Sequence, residues 1–487
     1  MMKKPVILFL LTSAAIAVAG YHPGLEDDAY YLAAIKKDLH PALFSRDADF
    51  FQLQFQATAF DKLVAWSVRL THLPLAVDTL IWHFASIFVI LWCCHRIAAK
   101  CFRETHAQWA AVAMVGALLT IPVSGTGIML ADQHLHPRAV ATGAILGAVV
   151  ASLERKKMLA ALLLAFTLSM HAIMASFGIS LCLFLGWNRA AGDPNPLMKE
   201  RQKFAVASML PLRWLFEPTT AAWRQAAATR TFYFPGRWEW YEWLGIVAPL
   251  PLLWCFGRSA RRDGTGTMGW ISRRLVWFGA FQLLVALFMM LPPAFERLRP
   301  LEPMRYLQLI YLFLFLLMGG LTGRYFLKTH VYRWILLFAP LCFGMWFAQR
   351  QMYPATAHLE LPGLAPRNEW VRAFLWVRNN TPVDSYFAID PLYMKRPGED
   401  YHGFRALAER GMLADNLKDP GMVARVPRLG ARWLREVTAE KNWETFQAAD
   451  FSRLKQQFGV NWVLLTTPAI AGMQCPYQDD ALSICRI

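Results

Sequence analysis

Apolar residues gather into long runs along this chain, separated by short polar stretches. After Met-Met-Lys-Lys, the first run covers residues 5–20. Others follow at 75–94, 109–130, 139–153, 158–170, 172–187, 204–216, 243–256, 275–291, 304–321 and 334–347. Runs of roughly 17–22 residues can cross about 30 Å of hydrocarbon as helices. The pattern predicts an α-helical polytopic membrane protein with about eleven transmembrane helices. The runs between 158 and 187 and at 204–216 are the shortest. The first run also has the form of a signal peptide, with Ala17-Val18-Ala19 offering small residues for cleavage; its other reading is a retained first span.

Polar positions orient these runs. Basic residues recur in every second loop, at 95–103, 154–157, 189–203, 258–274 and 324–333. By the positive-inside rule these loops face the cytoplasm. Residues 21–74, 131–138, 217–242, 292–303 and everything beyond about 349 then lie outside. The expected address is a bacterial-type inner or plasma membrane. Beyond 358 the pattern changes. Helical period at 368–379, 404–410 and 452–458 alternates with strand signals at 386–389, 460–465 and 481–487, as in a small α/β domain. The chain thus divides into a transmembrane part, 1–358, carrying a long first outside loop at 21–74, and a soluble extracytoplasmic α/β domain, 359–487.

Composition sharpens this picture. Of 487 residues, 56% are hydrophobic and 17% charged, against about 25% charged in soluble chains. The net charge of +16 comes from 50 Lys+Arg and 34 Asp+Glu. From residue 359 onward the counts are 16 and 15, so the surplus sits in the membrane part. No basic stripe is interleaved with aromatics, and nucleic acid is not an expected partner. Cys475 and Cys485 stand at the two ends of a possible C-terminal hairpin, where a disulfide is open to a tail outside the cytoplasm.

Candidate chemistry concentrates in the outside loops. Glu26, Asp27 and Asp28 put three adjacent carboxylates just past the first span. Like charges repel, so cations, a metal or solvent must compensate them. One reading is a solvated N-cap, Asp27 or Asp28, opening an amphipathic helix. The other is a carboxylate base at a membrane–water boundary.

Asp27-Asp28-Ala29-Tyr30-Tyr31 resembles the Asp-Glu-Ala-Tyr-Tyr signature of GT-C-fold membrane glycosyltransferases, which include the lipid-A aminoarabinose transferases, protein O-mannosyltransferases and oligosaccharyltransferase catalytic subunits. The resemblance implies a polyprenyl-phosphate sugar donor, an extracytoplasmic active site and an inverting transfer to a glycan, lipid or protein acceptor. By position it places the catalytic Asp at Asp27 and the following acid at Asp28. Asp28 stands where the commoner pattern has Glu, and Glu26 offers an alternative register.

Supporting groups are Asp132, His134, His136 and Arg138 in the second outside loop, read either as a polar turn or as groups that reach a metal or phosphate. A divalent cation, Mg²⁺ or Mn²⁺, would fall to Asp28 and Asp132. A departing phosphate needs cations, for which Arg297, Arg299 and Arg305 are candidates and Arg46 and Lys62 rivals. His171 lies in an apolar region, and Trp238–Trp243 reads as an interfacial belt or a sugar-stacking platform. The rival classes are a polytopic transporter or flippase, and a degenerate GT-C scaffold that binds lipid-linked glycans.

Overall fold

A computed structural model describes residues 3–55, 58–186, 219–262, 266–470 and 472–487. The predicted run at 204–216 and the basic loop at 189–203 lie outside the described residues. Among those described, five helices are long and apolar enough to cross a membrane: Leu75–Cys101, Trp240–Ala260, Gly266–Met290, Pro303–Leu327 and Val331–Met352. Four shorter apolar helices, Lys4–Ala19, Pro137–Leu153, Lys157–Met170 and Ala172–Gly186, fall on predicted runs but are shorter than the usual span. By length alone the structure supports a membrane protein with five full-length spans.

Local chemistry explains where these helices begin and end. Pro5 opens Lys4–Ala19 at its first turn, and Gly20 closes it at φ 88°. A Cβ on Gly20 would lie 2.8 Å from His22 Nε2 and 3.0 Å from the His358 carbonyl, so the chain turns there at a position only glycine fits. The helix buries Leu8, Thr12, Ala15, Ile16 and Ala19 against Leu75–Cys101 and Thr105–Ala117. It packs as one helix of the bundle. The two short helices around residue 171 are separated by His171 itself, at φ −159° and ψ 93°.

The run at 109–130 differs from expectation. It is a helix only at Thr105–Ala117. Pro122 and the left-handed Gly125 and Gly127 (φ 67° and 64°) then fold a short antiparallel hairpin, β1 (Pro122–Val123) on β2 (Ile128–Met129). Pro lacks an amide donor and the glycines take conformations that break a helix, so hydropathy alone overestimated this span.

The C-terminal part holds a five-stranded mixed sheet of β3 (Tyr386–Ile389), β4 (Gly411–Met412), β5 (Trp462–Thr466), β6 (Gln474–Gln478) and β7 (Leu482–Arg486), in the order β4-β3-β5-β7-β6. Strand β3 pairs in parallel with β4 and β5; β7 runs antiparallel to β5 and β6. Helix Glu369–Asn380, capped by the Asn368 side chain on the Val371 amide, packs Phe374 and Val377 onto one face of the sheet. Helix Ala448–Phe458 covers the other with Phe451 and Leu454. Cys475 and Cys485 are disulfide-bonded between β6 and β7.

The boundary drawn at 358 is crossed by packing. Residues 21–74 form three helices, Asp28–Leu39, Asp49–Phe55 and Phe60–Thr71. Tyr30, Phe50 and Phe51 share one hydrophobic core with Met422, Leu429 and Trp433. Arg405, fully enclosed, donates to Asp47 at 2.6 Å and to both Asp419 oxygens at 3.0 Å. The long first loop and the C-terminal domain are therefore one packed body.

Candidate functional site

The acidic trio is bent by its backbone before any side chain acts. Gly24 and Glu26 take left-handed φ values of 82° and 55°. The Glu26 amide donates to the Tyr401 carbonyl at 2.9 Å, the Gly403 amide to the Gly24 carbonyl at 2.8 Å, and Leu25 pairs with His402 as an isolated bridge. Helix Asp28–Leu39 starts immediately afterwards.

This bend sends the two aspartates apart. Asp28 is buried and accepts the Gly24 amide at 2.6 Å. Burial pushes its carboxyl up to about 7, against that hydrogen bond and Lys36. Asp27 holds the N-cap position of the helix yet makes no capping bond. Its side chain is 41% exposed, and it lines a cavity of about 720 Å³. Burial raises its carboxyl, but Lys418, His136, Arg305 and Arg138 outweigh it and hold it well below the ordinary carboxylate range. Asp27 is thus a fixed anion in this cavity.

The β1–β2 hairpin forms one wall, and Tyr30, Tyr233, Tyr353 and Tyr401 contribute others. Two charge groups face each other across it. On one side Lys418 reaches Asp27 Oδ1 at 3.3 Å and also bonds Glu26. One cation against two carboxylates leaves a net negative charge there. On the other side Glu302 accepts from Arg305 at 2.7 Å and Arg425 at 3.1 Å. Two cations against one carboxylate leave a net positive charge. Between them Arg138, 1% exposed, donates to Asp132 at 2.5 Å. Arg138 Nε and Nη1 and Arg305 Nε have no hydrogen-bond partner among the described residues. Unused guanidinium donors at such depth are costly unless a ligand completes them.

The histidines sit at the back of this wall. His136 Nδ1 accepts the Arg138 amide at 2.9 Å, which leaves the proton of the neutral ring on Nε2, 4.0 Å from Asp27 Oδ2. Burial and then Arg138 hold His136 well below the usual histidine range. His134 lines the cavity with neither ring nitrogen hydrogen-bonded, and burial pushes it down to about 3. Both rings are neutral near pH 7.

The structure brings together Glu26, Asp27, Asp132, His134, Arg138 and Arg305 on the cavity wall, with His136 directly behind. It places the remaining candidates elsewhere. Asp28 is turned to the Gly24 amide. Arg297 is buried off the wall. Arg299 donates to the Met290 carbonyl at 3.0 Å and stacks over Phe234. Arg46 is tied to the Gly459 carbonyl at 3.0 Å, and Lys62 is exposed. His171 serves the helix break, accepting the Met174 amide at 3.3 Å. In the aromatic run, Trp238 is buried, Trp240 is exposed, and Tyr241 and Glu242 reach the cavity rim.

Of the two carboxylates expected to hold a cation, Asp132 keeps Oδ2 without a hydrogen-bond partner among the described residues. Asp28 is bonded to a backbone amide off the wall and Asp132 to Arg138. Among the described residues no three His, Cys, Asp or Glu side chains are grouped to hold an ion.

Sequence reasoning missed Lys418, Arg425, Arg230 and Glu302, all on the wall. Glu302 lies between the very arginines singled out, at a left-handed φ of 52°. Lys418 and Arg425 carry no local signature. The hairpin had one, Ser124-Gly125-Thr126-Gly127, a turn-forming string inside an apolar run. Compared with protein-family models and with curated protein sequences, the chain matches none.

Proposed function

We propose that this chain is an integral membrane glycosyltransferase of GT-C type, with about eleven spans, which moves a sugar from a polyprenyl-phosphate donor to an acceptor outside the cytoplasm of a bacterial-type cell. One observation carries the reading. A fixed carboxylate, Asp27, shares a cavity with Arg138 and Arg305, whose guanidinium donors are incompletely used among the described residues, next to the ends of apolar helices.

In this mechanism the acceptor hydroxyl or amine is held by Asp27 and attacks the anomeric carbon. The bond from that carbon to the phosphate oxygen breaks, and its electron pair leaves with the phosphate. Arg138 and Arg305, steadied by Asp132 and Glu302, stabilise the charge that builds there. The acceptor proton passes to Asp27. Its low proton affinity suits it to orient the nucleophile early and to take the proton only as the new bond forms. His136 Nε2–H faces the Asp27 carboxylate at 4.0 Å, beyond hydrogen-bond distance.

The test is release of polyprenyl phosphate from a radiolabelled donor by the full chain in nanodiscs, with a membrane extract as acceptor source. Release that depends on Asp27 supports the proposal. Full release by Asp27→Asn overturns the assignment of the base, and donor translocation across a bilayer without release overturns the transferase reading in favour of transport.

A further inference from the structure

A second cavity, about 450 Å³, lies on the lipid-facing side of the bundle and shares no lining residue with the first. Helices Leu75–Cys101, Pro137–Leu153 and Lys157–Met170 enclose it. Its floor is made of small residues, Ala85, Gly143, Ala144 and Gly147, and its sides of Val89 and Leu163. A Cβ on Gly143 would come within 3.1 Å of Val89, and one on Gly147 within 3.2 Å of Leu163, so the glycines keep the trough open. The lining is apolar along its length and becomes charged at one end only.

That end is specific. Arg96 and Lys156 (2.8 Å) both bond Glu154. Two cations on one carboxylate leave a net positive charge, and the two cationic side chains remain 41% and 60% exposed. Trp92, partly exposed beneath the Arg96 guanidinium at 5.9 Å, marks the level where aromatic rings meet headgroups. The trio stands at the opposite end of Pro137–Leu153 from Arg138, about 25 Å away for a helix of that length.

We infer that this trough binds one phospholipid with an anionic headgroup, drawn from the leaflet opposite the Asp27 cavity. One acyl chain lies along the glycine floor and the phosphate meets Arg96 and Lys156. The position of the charge excludes the donor lipid as occupant. In the proposed transfer a donor phosphate must reach Arg138 and Arg305, whereas among the described residues the cations bordering the trough, Arg96 and Lys156, lie at the opposite end of the helices. The exclusion of the donor lipid rests on the transfer reading; the trough and its charged end do not.

Native mass spectrometry of the full chain, released from nanodiscs of equal phosphatidylglycerol and phosphatidylethanolamine, tests it. The expected result is one retained phospholipid with about fivefold preference for phosphatidylglycerol, the ratio one net surface charge supports. Ala85→Trp, at an exposed floor position, should empty the trough. Arg96→Gln with Lys156→Gln should keep a lipid but lose the preference. No retained phospholipid in the unaltered chain, retention unaffected by Ala85→Trp, or displacement of a polyprenyl phosphate by that substitution would each overturn the inference. The double Gln variant leaves the apolar floor untouched, and an undiminished preference there would overturn it as well.

Discussion

Two clusters of mixed charge, one around Arg405 between the first loop and the C-terminal domain and one around Arg138 on the cavity wall, are finished differently. Around Arg405, each guanidinium nitrogen has a protein acceptor: Nε has Asp47, Nη1 has Asp419, and Nη2 has Asp419 and the Met412 carbonyl. Around Arg138, among the described residues, only Nη2 has an acceptor, Asp132, although the side chain is equally deep. A sealed, saturated cluster holds a fold together; an open one with donors to spare is shaped for something that arrives later. Charge and burial alone do not separate the two, whereas the count of unused donors does.

Substitution should expose that difference most strongly at Arg405. Arg405→Leu strands buried Asp47 and Asp419, and should cost about 3–5 kcal/mol in the thermal unfolding of the full chain in nanodiscs. Asp27→Asn should do the reverse, leaving unfolding nearly unchanged while the proposed sugar transfer falls by about 100-fold or more. Arg138→Lys keeps a charge but loses the planar fork, so the KM for donor should rise about tenfold with the fold intact.

A smaller effect should appear with pH. His402, buried between the first loop and the domain, is lowered by burial but raised more strongly by Glu360, to about 9. Its charged form favours the fold, so that contribution is complete below about pH 6.5 and is lost as pH rises toward 9. Melting curves of Glu360→Gln should show a flatter decline across that window. The smallest effect belongs to Arg299→Ala. Removing this arginine, which lies off the cavity wall, should shift stability by about 1 kcal/mol or less and leave donor KM unchanged.

The comparison also explains what could be read from residues alone. The apolar helices were legible because hydropathy is local: nine described helices fall on predicted runs. The acidic trio and the Asp132–Arg138 loop were legible because each is a short polar string next to a membrane boundary. The split between Asp27 and Asp28 was not, because it depends on a bridge from Leu25 to His402 across the fold. The cationic half from the C-terminal domain was hidden for the same reason. Lys418 lies 391 residues from Asp27 and Arg425 lies 123 from Glu302. Periodicity and motif spacing carry no information at such separations.

Lys418 also sets a timetable. A chain emerging from the ribosome makes Glu26 and Asp27 long before the lysine that embraces them, 391 residues after Asp27. Until the tail docks, the acidic pair faces no counter-ion from that domain and the pocket lacks a wall. The cavity around Asp27 is therefore completed only once the segment holding Lys418 and Arg425 has been made and has docked.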